Sequence, residues 1–306
     1  MKRFARYITI FVFPIIVICI TIEICVRSFP NAYKYKYEWM QRNADSVETL
    51  VLGNSYTYYG IQPKYLEGKA FNLANPAQRF EHDLFLLKYW SDRYSKLKLV
   101  IMPVSSITMF SRGQEPYRCR YYKMYMDCNL YPTSFYYNFE ISEPKIALSR
   151  FYKCVWGTNV VDWFCDEYGN EAFNNTLKKS YDWENTFKPK TAKTWNYISQ
   201  NCFILEEIIK FCKKRNIQFV LITTPYWHTF YERLDEKQLN KMYSIIHDIQ
   251  ERYNIPYYNY HNDKRFTAAD FFNNSHLSNV GEIKFTKILN KDIQKYIRHN
   301  NIALGN

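Results

Sequence analysis

Five short apolar runs separated by helix-length amphipathic stretches constrain this chain more than any other feature. The runs are Val47–Leu52, Ala70–Leu73, Leu99–Met102, Phe219–Thr223 and Ile255–Tyr258. Helical patterns cover Glu81–Leu97, Lys193–Arg215, Glu236–Tyr253 and about Val280–Ile297, the last with Phe285, Ile288, Leu289 and Tyr296 on one stripe. Strands that alternate with helices form a parallel sheet covered on both faces. The expected fold is therefore α/β: a three-layer sandwich of flavodoxin-like type with a five-stranded, mostly parallel sheet, over about residues 45–300.

The alternation breaks between the third and fourth runs. Residues 105–192 are far more than a crossover needs and read as an insertion packing over the strand C-termini. It holds a helical pattern at Ser142–Val155, many aromatic residues and four cysteines. Its rings read first as the insertion's own core, with stacking on sugar rings as the alternative. Cys119, Cys128, Cys154 and Cys165 are the disulfide candidates in an oxidising compartment, with no pairing legible. Cys202 and Cys212 share a helical stripe with Leu205, Ile208 and Ile209 and read as core thiols. No cysteine or histidine spacing resembles a metal site, and no cofactor motif is present.

The N-terminus supplies the topology. Lys2, Arg3 and Arg6 precede an apolar stretch from Ile8 to Val26 that Arg27 closes. Roughly 19 helical residues reach about 28 Å, close to the thickness of a bilayer core. No small-x-small cleavage site follows, so residues 1–28 read as a transmembrane signal anchor, with Glu23 near its end. The positive flank places the N-terminus in the cytoplasm and the rest of the chain outside the cytoplasmic membrane. A Tyr/Lys-rich linker is expected over residues 29–44. The net charge of +12 favours an anionic neighbourhood such as lipid head groups or acidic glycans. Its spread along the chain, the anchor and the lack of any nucleic-acid-binding motif exclude nucleic acid as the partner.

Three segments carry candidate chemistry at strand ends, where open α/β sheets bind ligands. Gly53-Asn54-Ser55 follows the first run; a small residue before a serine permits a sharp turn that exposes the hydroxyl, and the next N–H groups face an oxyanion. Taken alone, Gly-x-Ser is common and usually marks a turn. The second segment is Asn273-Asn274-Ser275-His276-Leu277, with Gly281 downstream. Asn279 and Glu282 have capping-box spacing, which sets His276 in a loop just before a helix. A serine hydroxyl needs such a base before it attacks a carbonyl. The third, Thr223-Thr224-Pro225-Tyr226-Trp227-His228, reads as a pocket wall in which Tyr226 and His228 contact substrate.

Taken together, the first two segments resemble the SGNH (GDSL-like) hydrolase superfamily, in which Gly-Asp-Ser follows the first strand and Asp-x-x-His precedes the last helix. The resemblance spans about Val47–Ile297 and looks closest to membrane-anchored envelope members linked to polysaccharide acylation. It implies Ser55 as nucleophile, His276 as base and Asn273 as the residue that holds the imidazole. Asn54 stands where the family has Asp, a supporting position. Asn273 stands where the family has the orienting carboxylate, with Asp270 nearby as a substitute. The family's oxyanion Gly and Asn are missing after the second and third strands, leaving Asn75 and Gln78 as alternative donors. The implied function is a serine esterase or O-acyltransferase acting on acetyl or similar groups of a cell-surface glycan, without metal or organic cofactor. A membrane-bound acyl-donor partner would serve the transferase form. The competing expectation is a catalytically impaired relative that binds a glycan or membrane partner.

Overall fold

A computed structural model of the chain describes residues 2–111, 116–130, 138–156, 165–171, 184–185 and 194–304. In chain order, helices α1 (Lys2–Ser28) and α2 (Ala32–Asn43) precede strand β1 (Thr49–Val51) and the one-turn helix α3 (Ser55–Tyr58). Next come β2 (Ala70–Asn72), α4 (Phe80–Tyr89), β3 (Leu99–Pro103) and α5 (Ser106–Phe110). After α6 (Pro116–Met126) and α7 (Pro144–Val155), the chain continues through α8 (Ile198–Lys214), β4 (Gln218–Thr223), α9 (His228–Tyr231), α10 (Glu236–Tyr253) and β5 (Tyr257–Asn259). A hairpin of β6 (Phe271–Asn273) and β7 (His276–Leu277) then leads into α11 (Asn279–Leu304).

The five main strands form one sheet in the order β2-β1-β3-β4-β5. Every neighbouring pair in it is parallel, with Leu50 opposite Val100 and Ile101 opposite Val220. This is the doubly wound, flavodoxin-like order, whose switch point lies between β1 and β3. The three central strands lack polar–apolar alternation because helices cover both faces, and β1 and β3 are buried throughout. On one face Val51, Ile101, Val220 and Ile222 pack with Phe285, Leu289 and Ile293, which lie one helical turn apart on α11.

The chain divides into two compact units: Met1–Tyr37 with Glu115–Phe164, and Glu38–Gln114 with Cys165–Asn306. The second contains the sheet. The first carries one correction: the supposed linker at 29–44 is mostly the helix α2. The insertion's described part, α6 and α7, groups with the N-terminal segment. Aromatic packing explains this: Tyr33 stacks on Tyr121 at 4.9 Å and meets Tyr122 edge-on at 5.2 Å. The chain also returns to the sheet unit at Cys165, well before residue 192. There the Asn72 N–H on edge strand β2 donates to Tyr168 O at 2.9 Å, and Asn170 Nδ2 donates to Glu282 at 3.0 Å. The first of these contacts occupies a strand edge that would otherwise present an open hydrogen-bonding group.

Within the first unit, Arg120 and Arg150 both reach Glu140 Oε2 at 2.8 Å, with Tyr121 alongside. The segment Arg6–Ser28 of α1 is long and apolar enough to cross a membrane. Its one acidic residue, Glu23, accepts the N–H groups of Glu140 (3.1 Å) and Ile141 (3.0 Å), which is why a carboxylate is tolerated there. Of the expected bridge formers, Cys128 is a buried free thiol and Cys165 is buried. The side chains of Cys119 and Cys154 lie outside the described residues. Cys212 is fully buried in the core as expected, and Cys202 partly so.

The last helix is capped one residue earlier than its sequence suggests. Ser278 Oγ accepts the Gly281 N–H at 3.2 Å, so Ser278, not Asn279, closes the helix start. Glu282 is thereby released from capping and buried against Asn170. Burial pushes its carboxyl up to about 8, from the usual 4.5. A carboxyl with a raised folded-state pKa gives its full stability below the unfolded value and loses it as pH climbs towards the folded one. Glu282→Gln keeps the acceptor for Asn170 and removes the titration. Thermal melts in pH steps should show the variant melting above the wild type at pH 8, by about 2–4 °C per kcal/mol recovered. The difference should vanish near pH 5.

Candidate active site

The turn after β1 is forced by close packing. Gly53 has φ +110, and a Cβ placed there would lie 2.2 Å from Pro103 Cδ on β3. Only glycine lets the chain leave β1 so close to its neighbour. Asn54 then caps α3, its Oδ1 accepting the Tyr56 N–H at 3.0 Å. Ser55 is the first residue of that turn. At the far end of the chain, the β6–β7 hairpin carries His276 on a strand rather than in the expected loop. The two meet: Ser55 Oγ lies 3.0 Å from His276 Nε2 across 221 residues of sequence.

Asn273 fixes the imidazole behind them. Its Oδ1 accepts the backbone N–H groups of Ser275 (3.0 Å) and His276 (2.9 Å) and the Ser275 hydroxyl (3.2 Å). Two backbone donors decide which end of the amide is oxygen, so this orientation follows from the chain itself. The same oxygen lies 3.1 Å from His276 Nδ1. An acceptor there requires Nδ1 to carry the proton and leaves Nε2 with a lone pair facing the serine. Ser275 Oγ, 3.1 Å from Nδ1, is a further neighbour that sequence reading missed. Asp270 does not replace the family's carboxylate. It accepts the Thr267 N–H at 2.8 Å and pairs with Lys284 Nζ at 2.7 Å, closing the turn before β6.

The other anticipated residues fall into different roles. Gln78 Nε2 donates to Asp83 Oδ1 at 2.6 Å, and Asn75 Nδ2 to Gln78 Oε1 at 3.2 Å. Both amides thus brace the loop after β2, and Gln78 also lines the cleft beside Ser55. Tyr226 is buried and hydrogen-bonded to Tyr56 and Ser105, which places it behind the site as support for the Tyr56 ring. Tyr56 in turn lies 5.7 Å, ring to ring, from His276. His228 is half-exposed and faces Glu232 at 3.3 Å on α9; it is not among the residues lining the cleft beside Ser55.

That cleft encloses about 280 Å³ and is walled by Asn54, Gln78, Arg79, Phe80, Thr108 and Asn201, among others. Ala77 also lines it with φ +60, a backbone conformation that glycine adopts without strain. This is the loop in which the sequence lacks the family's glycine, so an unusual backbone survives there without the residue that normally signals it. Among the described residues no group of acidic, histidine or cysteine side chains could hold a metal ion.

A parallel sheet in this order, a serine at the exit of β1 and a histidine brought to it from just before the last helix are the arrangement that the resemblance to the SGNH (GDSL-like) superfamily implies. No family model and no curated protein matches the chain. Among solved structures, it is similar to one described as a candidate acylhydrolase from Bacteroides fragilis NCTC 9343. The identity is 12% and the TM-score 0.42, covering 86% of this chain and 95% of that one. A GDSL-like lipase from Bacteroides thetaiotaomicron VPI-5482 is similar at 12% identity and a TM-score of 0.41, over 87% of this chain and 98% of the other.

Because Asn273 already imposes the productive tautomer, the one thing it lacks is charge to stabilise imidazolium. Hydrogen bonds to a charged acceptor are worth roughly twice those to a neutral one. Asn273→Asp should therefore accelerate covalent modification of Ser55 by a serine-directed probe by about tenfold. Stopped-time labelling of the two proteins checks this.

Proposed function

We propose that this chain is a serine esterase or O-acyltransferase that works on acyl groups, acetyl foremost, of cell-surface glycans, held at the cytoplasmic membrane by α1 with the sheet unit outside. The observation that carries the reading is the 3.0 Å approach of Ser55 Oγ to His276 Nε2, with Nδ1 held by Asn273. In this mechanism the Ser55 oxygen attacks the acyl carbonyl carbon while Nε2 takes its proton. The tetrahedral intermediate collapses as Nε2–H protonates the departing alkoxide. Water or a sugar hydroxyl then attacks the acyl-serine, giving hydrolysis or transfer. A cleft of about 280 Å³ suits a small acyl group better than a long fatty chain. The net charge of +12 suits an acidic envelope surface or glycan. A membrane-bound acyl-donor partner belongs to the transferase form of the proposal.

One observation favours a second reading, a glycan-binding protein without turnover. The orienting residue is a neutral amide, and in a serine protease triad the corresponding change costs about 10⁴ in kcat. There, however, the loss comes from the wrong tautomer, whereas here backbone donors hold the amide oxygen towards the ring.

The test is reaction of the full-length protein in detergent with a fluorophosphonate, followed by mass spectrometry of the labelled peptide. Ser55 should be the labelled residue, Ser55→Ala should abolish the label, and His276→Ala should slow labelling by about 10²–10⁴-fold. A folded wild type that takes no label would instead support the binding role.

A further inference from the structure

Directly behind the nucleophile turn lies a charged side chain that the chemistry above leaves unused. Asp83, on the first turn of α4, is 1% exposed. Its Oδ1 accepts the Gly53 N–H at 2.8 Å and Gln78 Nε2 at 2.6 Å. Gln78 Oε1 accepts from Asn75 Nδ2 at 3.2 Å, and the Asn75 N–H donates to Gly53 O at 3.2 Å. The four residues close a ring in which both polar groups of Gly53, two positions before Ser55, are held from the β2–α4 side.

We propose that Asp83 is a positioning residue for the acyl-transfer reaction, its carboxyl clamping the Gly53 peptide so that the Ser55 hydroxyl stays aligned on His276; this rests on the reading of Ser55 as nucleophile. Two features separate this role from ordinary packing. Among the described residues Asp83 Oδ2 is buried without a hydrogen-bond partner, a costly state for a carboxyl group where one acceptor atom would satisfy both donors. Burial also pushes its carboxyl up to about 7 against the lowering effect of Gln78 and Gly53. Strongly perturbed, incompletely satisfied carboxyls concentrate at functional sites rather than in plain cores. The clamp also acts where adjustment is least available, since Gly53 is already pressed against Pro103. A shift of the turn by a few tenths of an ångström would be passed on to Ser55.

The experiment follows fluorophosphonate labelling of Ser55 in the full-length protein in detergent, separating the maximal rate of inactivation from the probe's apparent affinity. Asp83→Ala removes the clamp and should lower the maximal rate about tenfold to a hundredfold, with affinity unchanged within about twofold. Asp83→Asn retains an acceptor oxygen and should recover much of the rate, giving the order wild type, Asp83→Asn, Asp83→Ala. A purely structural role would instead lower the melting temperature while the folded fraction reacted at the wild-type rate. The proposal is overturned if folded Asp83→Ala labels like the wild type, if folded Asp83→Asn labels no faster than Asp83→Ala, or if neither variant folds. Should wild-type Ser55 take no label, the nucleophile reading falls and this inference with it; wild-type labelling with unaffected Asp83 variants sinks this inference alone.

Discussion

The geometry of the site depends on one amide oxygen. Asn273 Oδ1 gathers two backbone N–H groups, a hydroxyl and the Nδ1 edge of His276 around a single acceptor. The first two contacts form the bend between β6 and β7, so the atoms that shape the hairpin also set the protonation pattern of the imidazole. Folding and base orientation are therefore one event. A neutral amide suffices for both because two main-chain donors hold it in place. What an amide cannot provide is a counter-charge, and the site is correspondingly well aligned yet electrostatically lean.

Alignment across 221 residues of sequence is the work of the sheet. The order β2-β1-β3-β4-β5 places the β1 exit next to the central strand β3, beside the switch point. The stripe of Phe285, Leu289 and Ile293 seats α11 on the sheet and carries the preceding hairpin to the required height. The serine turn is restrained from below by Pro103 and from the side by the Asp83–Gln78–Asn75 ring. Ser55 and His276 are thus both mounted on secondary structure rather than on loops.

The main outline was legible in the sequence because it is written in local pattern. Strand–helix alternation gave the parallel sheet, and α10 has the boundaries that its periodicity suggests, with Asp235 as its N-cap. The residues Gly53, Ser55, Asn273 and His276 stood out because unusual turns demand unusual residues. The remainder is fixed by tertiary contacts that leave no local trace. Asn75 and Gln78 have donor groups, and nothing in the sequence says that they are linked to Asp83 and to each other. Ala77 shows no glycine signal although its backbone is left-handed. Tyr226 looked like a pocket wall because burial behind Tyr56 is invisible in one dimension. The segment 29–44 read as a linker because its tyrosines are polar-edged, yet those rings pair with partners almost 90 residues away.

Glu23 gives the N-terminal helix a meaning beyond its apolar length. Its carboxylate engages the main chain at Glu140 and Ile141, and such a bond tolerates little rotation or sliding of the helix that carries it. The helix is keyed to its own unit as a shaft is to a hub, with both azimuth and axial height set. An apolar helix of equal length without the acid would have no such fixed seat.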